Sequence, residues 1–183
     1  VLLQVDRTEV KRENTAGATL AATAASNYNT NERTAASLGW NGRWDWGTSA
    51  LSVLREQTQR ETFTRRAGAF VQDARAPELT NTVYDALFNI PLEGSPLGDH
   101  QLVVGGQYVE NRLVDLNPGV SATQPGTFTV WQRALFVEDE WRLNERFALT
   151  GGLRFDDHER YGSHWSPRLY AVWTPAEAWT IKG

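Results

Sequence analysis

Four arginines and two phenylalanines share one short stretch of the chain, QRETFTRRAGAFVQDARAPE, at residues 59–78. A guanidinium brings a fixed charge, a fork of donors and a plane that stacks, and a phenyl ring adds apolar contact. Arg60, Phe63, Arg65, Arg66 and Phe70 are therefore the candidate ligand-binding residues, suited to a bulky anion. Arg75, beside Pro77 at the entrance to a strand, is expected to matter least. A solvated loop, or arginines that bind lipopolysaccharide phosphates, would show the same residue types. Other chemistry is sparse. His158 and His164 flank ERYGS near Asp156, Asp157 and Glu159, but without tight ligand spacing; solvated rim residues are the preferred reading and no metal site is assigned. Glu138, Glu140 and Asp156 have the chemistry for acid–base work. Their expected role is instead to pair with Arg142, Arg154 and Arg168 in a polar lumen. The chain holds no Ser-His-Asp motif, P-loop or dinucleotide fingerprint. No enzyme activity and no cofactor are expected.

The elements that must position these residues are clearest between residues 131 and 173. Trp131, Leu135, Val137, Trp141 and Leu143 alternate with Gln132, Phe136, Glu138, Glu140 and Arg142. Phe147, Leu149, Gly151, Leu153 and Phe155 alternate with Ala148, Thr150, Gly152, Arg154 and Asp156. Trp165, Pro167, Leu169, Ala171 and Trp173 alternate with His164, Ser166, Arg168 and Tyr170. Strand side chains alternate faces, so each run has one apolar and one polar face. Each apolar face begins and ends in an aromatic residue. That is the layout of a membrane-spanning β-strand of roughly 9–11 residues between two aromatic girdles. Trp141, Phe147 and Trp173 are expected at the periplasmic end, and Trp131, Phe155 and Trp165 at the outer end. Gln132, Glu138, Arg154 and Arg168 are expected to face the lumen. Two residues resist: Arg133, which can reach headgroups, and Asp139, which has no evident partner. A soluble sandwich with the same faces turned to a core is the alternative.

The rest of the chain repeats the hairpin rhythm. Residues 1–11 read as a strand of open face assignment, and 12–33 as a long flexible loop rich in Ala, Thr and Asn. Residues 34–44 and 46–57 form a hairpin, with turn chemistry at both Asn41-Gly42 and Trp46-Gly47. After the arginine loop at 58–78, strands at 79–90 and 101–113 enclose a turn at 91–100. A third long loop at 114–130 carries Asn117-Pro-Gly and Gln124-Pro-Gly. Long and tight connections alternate, as outer loops and periplasmic turns do in outer-membrane barrels. The strand count is about nine.

Composition permits this reading. No apolar run reaches the roughly 18 residues of a membrane helix, and alternating strands average out as polar, in keeping with a mean hydropathy of −0.48. Eight tryptophans suit interfacial girdles. Without cysteine there is neither a disulfide nor a thiolate site, and a net charge of −4 gives no nucleic-acid footprint.

These residues also carry a family likeness. Phe-x-Glu-Asp-x-Trp at 136–141, Gly-Leu-Arg-Phe-Asp at 152–156 and His-Trp-Ser-Pro at 164–167 resemble successive elements of TonB-dependent outer-membrane receptors, of the ferric enterobactin and catecholate-siderophore type. Trp-Asn-Gly-x-Trp-Asp-x-Gly at 40–47 resembles the same family. The resemblance implies an all-β antiparallel transmembrane barrel in the bacterial outer membrane. It implies that residues 1–183 are a middle portion of a larger, 22-stranded barrel without its plug. It implies active transport of a ferric siderophore, with TonB acting through the missing plug and colicins and lipopolysaccharide as further partners. A ferric tris-catecholate, a trianion with aromatic rings, would suit the arginine loop. A self-contained small barrel serving as an adhesin or structural protein, and the soluble sandwich, are the alternatives. Unpaired edges at 1–11 and 178–183 predict that the chain does not fold alone.

Overall fold

The structure, a computed structural model, describes residues 1–96, 98–116 and 126–183. Its elements are β1 (Leu2–Asn14), β2 (Asn27–Trp44), β3 (Gly47–Arg66), β4 (Ala69–Gln72), β5 (Glu78–Ser95), β6 (Gly98–Asp115), β7 (Gly126–Asn144), β8 (Phe147–His158), β9 (Gly162–Ala176) and β10 (Trp179–Lys182). They form one sheet in the order β1-β2-β3-β5-β6-β7-β8-β9-β10, each neighbour antiparallel. Nine strands make the path, as expected. The tenth, β4, folds back on β3 from a stretch read as loop.

The apolar faces align across the whole sheet. Leu3, Leu38, Val53, Tyr84 and Tyr108 are successive cross-strand partners. So are Leu51, Ala86, Gly106, Leu135, Phe155 and Trp165. This settles the open face of β1: Leu3 and Val5 join the apolar side. Little of that side is covered. Leu135 is 65% exposed and Leu169 74%, while Ala35 and Ala134 are the only buried hydrophobic residues among those described. A soluble sandwich would bury such a face against a second sheet; the described residues contain only one.

The girdle residues keep the expected register. The Phe155 and Trp165 rings lie 4.7 Å apart at one end, and Phe147 pairs with Trp173 at the other. Trp141 stacks on His100 at 5.6 Å. Both resistant residues have partners on their own face. Arg133 bonds Asp157 at 2.8 Å and lies over the Trp131 ring. His100 Nδ1–H donates to Asp139 Oδ2 at 2.8 Å.

The strands are longer than their periodicity suggested. The expected loop at 12–33 shrinks to residues 15–26, and β3 runs nine residues into the expected loop at 58–78. Where both faces of a hairpin meet water, apolar alternation vanishes and the strand loses its sequence signal. The β2–β3 turn falls at residues 45–46, not at Asn41-Gly42. There Gly47 has φ 145°, and a Cβ would meet the Asn89 carbonyl oxygen at 2.0 Å. The expected 91–100 turn is largely strand, since β5 runs on to Ser95 and β6 begins at Gly98. Asn117-Pro-Gly and the Gln124-Pro step lie outside the described residues.

On the polar face the Phe136 ring covers Gly105, where an added Cβ would lie 2.2 Å from ring Cζ. Gly105→Ala should therefore destabilise the intact barrel by about 1–3 kcal/mol through overpacking. Gly151→Ala, whose Cβ meets nothing within 4 Å, should stay within about 0.5 kcal/mol. Urea unfolding of both variants checks this; equal midpoints would refute the packing role.

Candidate functional site

The arginine stretch is a hairpin, not a loop, and strand alternation divides its candidates. Arg60, Thr62, Thr64 and Arg66 project from one face of β3; Glu61, Phe63 and Arg65 project from the other. Phe70 pairs with Arg65 across β3–β4 and shares the second face. The five candidates are thus not gathered at one point. Arg60 and Arg66 continue the polar face of the sheet, and Phe63, Arg65 and Phe70 continue the apolar one.

Each side builds its own cluster. On the second face Phe63 stacks on Tyr28 at 4.7 Å, Phe70 meets Tyr28 edge-on at 5.1 Å, and Lys11 Nζ sits 4.4 Å from the Tyr28 centroid. On the polar face Arg60 Nη2 donates to Asn29 Oδ1 at 3.1 Å, and Thr62 Oγ1 donates to the same oxygen at 2.7 Å. Asn29 is buried, at 8% exposure. Arg66 donates to Asp73 at 2.8 Å, and Thr64 Oγ1 donates to the other oxygen of that carboxylate at 2.9 Å. Arg66 is therefore neutralised, while no ion pair holds Arg60 among the described residues.

Arg75 takes a structural part that its place in sequence did not suggest. Its Nε and Nη2 donate to the two oxygens of Asp115 at 2.9 and 2.6 Å. This bidentate pair ties the segment after β4 to the end of β6. Asp115 lies seven residues beyond Tyr108, about 24 Å along the strand and clear of the membrane-spanning stretch. The Arg75 hydrogen bonds hold its carboxyl below the ordinary carboxylate range, and Asp115 raises the Arg75 guanidinium in return.

Elsewhere the polar face neutralises itself. Arg142 pairs with Glu140 at 2.8 Å, Arg154 with Asp156 at 2.9 Å, and Arg168 with Glu138 at 3.4 Å, as the sequence led us to expect. Gly152 stands between Glu138 and Arg168 in the register, and its missing side chain leaves room for them to meet. Arg33 is held by Asp6 and Glu56. The His158 ring lies tilted against Tyr161 at 4.6 Å, and its Nδ1 accepts the Arg160 N–H. A cavity of about 680 Å³ lies at the other end, under the β7–β8 turn, lined by Asp99, Arg142, Glu145, Arg146, Phe147 and Thr174 among others. Its cations and carboxylates are mixed. At the β1–β3 end Arg12 and Arg60 line one cavity and have no ion pair among the described residues. Sequence reasoning missed the asparagines and Arg12 that stand there, although Asn27, Asn29 and Asn31 at spacing two were a legible signal of one strand face.

Comparison with known proteins places the chain. The family model of the TonB dependent receptor-like β-barrel matches residues 4–183. The iron-regulated outer membrane virulence protein of Vibrio cholerae is 38% identical over 111 residues, covering 60% of this chain and 16% of that protein. The ferric enterobactin receptor PirA of Pseudomonas aeruginosa is 31% identical over 163 residues, covering 78% of this chain and 22% of the receptor. The crystal structure of the siderophore receptor PirA from P. aeruginosa superposes with a TM-score of 0.66 at 30% identity, over 86% of this chain and 27% of that one. The chain thus spans roughly a sixth to a quarter of the length of these relatives.

Proposed function

We infer the function of this chain from its family: it belongs to the TonB-dependent receptor-like β-barrels. Our proposal is that residues 1–183 are one portion of an outer-membrane receptor barrel that takes up a ferric siderophore, of the catecholate class. TonB supplies the energy through a plug domain, and lipopolysaccharide and colicins are further partners of the outer surface. The observation that carries this reading is the sheet itself. Across nine register-matched strands one face is apolar, edged by aromatics, and the other is a field of paired charges. Lipid covers the first and an aqueous lumen receives the second.

Ligand capture belongs at the outer end, where the β3–β4 hairpin rises beyond the girdle. Among the five candidates Arg60 is best placed, on the lumen side and without a carboxylate partner. Arg66 follows on the same face with its charge shared by Asp73. Phe63 and Phe70 face outward and support the hairpin through Tyr28, and Arg65 shares their face.

The test uses the full-length receptor in an iron-starved host without catecholate receptors of its own. Uptake of radioactive iron as ferric enterobactin should appear with the receptor and vanish in a host lacking TonB. Uptake that is the same with and without the receptor would end this reading.

A further inference from the structure

The outward face of the sheet carries an aromatic cluster that neither the girdle nor the lumen explains. Tyr84 and Tyr108, with rings 6.3 Å apart, mark the outer end of the apolar band on β5 and β6. Beyond them the outward positions turn polar, with Thr82 and Thr80 on β5 and Glu110 and Arg112 on β6. Tyr84 pairs with Val53 of β3. From Val53 to Phe63 the strand runs roughly 34 Å, and a tilt of about 40° turns that length into a rise of roughly 25 Å. At that height, on the same outward face, Tyr28, Phe63 and Phe70 come together. No acyl chain reaches so far. The layer around an outer-membrane barrel there is saccharide, the sugar chain that rises from the lipid A of the outer leaflet.

Phe63 lies flat on Tyr28, with centroids 4.7 Å apart and planes 12° apart, and Phe70 meets Tyr28 at 65°. Tyr28 and Phe63 are half-buried, whereas Phe70 remains 48% exposed. The charges beside the rings are already engaged. Lys11 is bound to Glu13 and lies over Tyr28, and Glu61 accepts the Gln72 amide. Arg65, across from Phe70 on the same face, has no side-chain partner among the described residues. The cluster spans β2, β3 and β4, roughly 10 Å across.

We propose that Tyr28, Phe63 and Phe70 form a docking surface for the core saccharide of lipopolysaccharide, with Phe70 as the ring on which a pyranose stacks and Arg65 as a donor at the rim. The proposal rests on the outer-membrane receptor reading and gives its saccharide partner a place. A pyranose presents C–H groups on one face and hydroxyls around its edge. The C–H groups suit the negative face of an aromatic ring, and the hydroxyls and acidic groups of a sugar chain suit a guanidinium. Lipid A phosphates fit this surface less well. Glu13 already holds Lys11, and the remaining cation, Arg65, stands far above the membrane surface where those phosphates lie. Strand parity rules out a ligand in the lumen, because these side chains project away from the Arg60 face.

The experiment titrates the full-length receptor, purified from a host whose lipopolysaccharide lacks core sugars, with two probes: core oligosaccharide cleaved from its lipid, and lipid A alone. The parent should bind the core oligosaccharide. Phe70→Leu, which keeps bulk and loses the ring, should weaken that binding roughly three- to tenfold. Phe70→Trp should stay within about twofold of the parent, and Arg65→Gln should cost a few-fold. Binding of lipid A should be the same in every variant. Unchanged core binding by Phe70→Leu, or an equal loss in Phe70→Leu and Phe70→Trp, would show that the ring only supports the hairpin and would overturn the assignment. So would a parent that binds lipid A but not the core oligosaccharide. A parent that binds neither probe and still takes up ferric enterobactin ends this assignment and leaves the receptor reading standing; absence of that uptake as well ends both.

Discussion

Arg60→Ala in the intact receptor is expected to weaken an anionic ferric chelate ten- to a hundredfold, while Arg65→Ala stays within about twofold of the parent. The two residues are five apart in sequence and nearly alike in exposed chemistry. Strand parity separates them. Arg60 stands on the lumen side beside Asn29 and Asn31, with no carboxylate to share its charge. Arg65 stands on the outer side opposite Phe70. A hydrogen bond from a charged donor contributes about 1.5–3 kcal/mol, which is the stated range in affinity. Arg66→Ala should fall between, because Asp73 already neutralises it and its loss leaves that acid unpaired. Titration with ferric enterobactin at low and high ionic strength measures all three. A larger loss for Arg65→Ala than for Arg60→Ala would mean that the ligand meets the outward face, and the lumen assignment would be wrong.

The second large effect is one of stability. His100→Leu should destabilise the intact barrel in phospholipid vesicles by about 2–3 kcal/mol, and the double variant His100→Leu, Asp139→Leu should regain all of it. Asp139 stands on the apolar face between Leu102 and Gly151 in the register. A lone acid there meets lipid, and a charged side chain on the lipid face of a barrel is costly. His100 answers it with one hydrogen bond and is itself held flat against Trp141. Asp139 Oδ1 is enclosed without a hydrogen bond among the described residues, so the His100 contact carries most of the compensation. Removing one partner strands the other, whereas replacing both with leucine restores an apolar surface. Urea unfolding of the four corners of the cycle gives the coupling directly. Additive single-variant effects would show that the pair does not act as a unit.

Sequence alone determined the parts of this protein that depend on period. Alternation over residues 131–173 gave the strands, their faces, the aromatic ends and the side on which Glu138, Arg154 and Arg168 lie. It did so because side-chain direction in a strand is local and follows from parity. Alternation of long and tight connections gave the hairpin order for the same reason: turn chemistry is local too. Above the girdle the signal failed. Apart from Tyr28 and Phe63, residues 27–33 and 58–66 are polar on both faces, because both faces leave the membrane, and a strand without a run of apolar side chains has no period to read.

Tertiary structure decided which residues meet. Asp139 has its partner 39 positions away, Arg75 finds Asp115 across 40, and Arg60 finds Asn29 across 31. Those distances are set by the register of one strand against the next, and by where β4 turns back on β3. A shift of one residue would have placed every one of these groups on the opposite face. The five candidate residues were legible as chemistry suited to an anion. Their division into a lumen pair and an outward trio was not, since it depends on pairing between strands that no local stretch encodes.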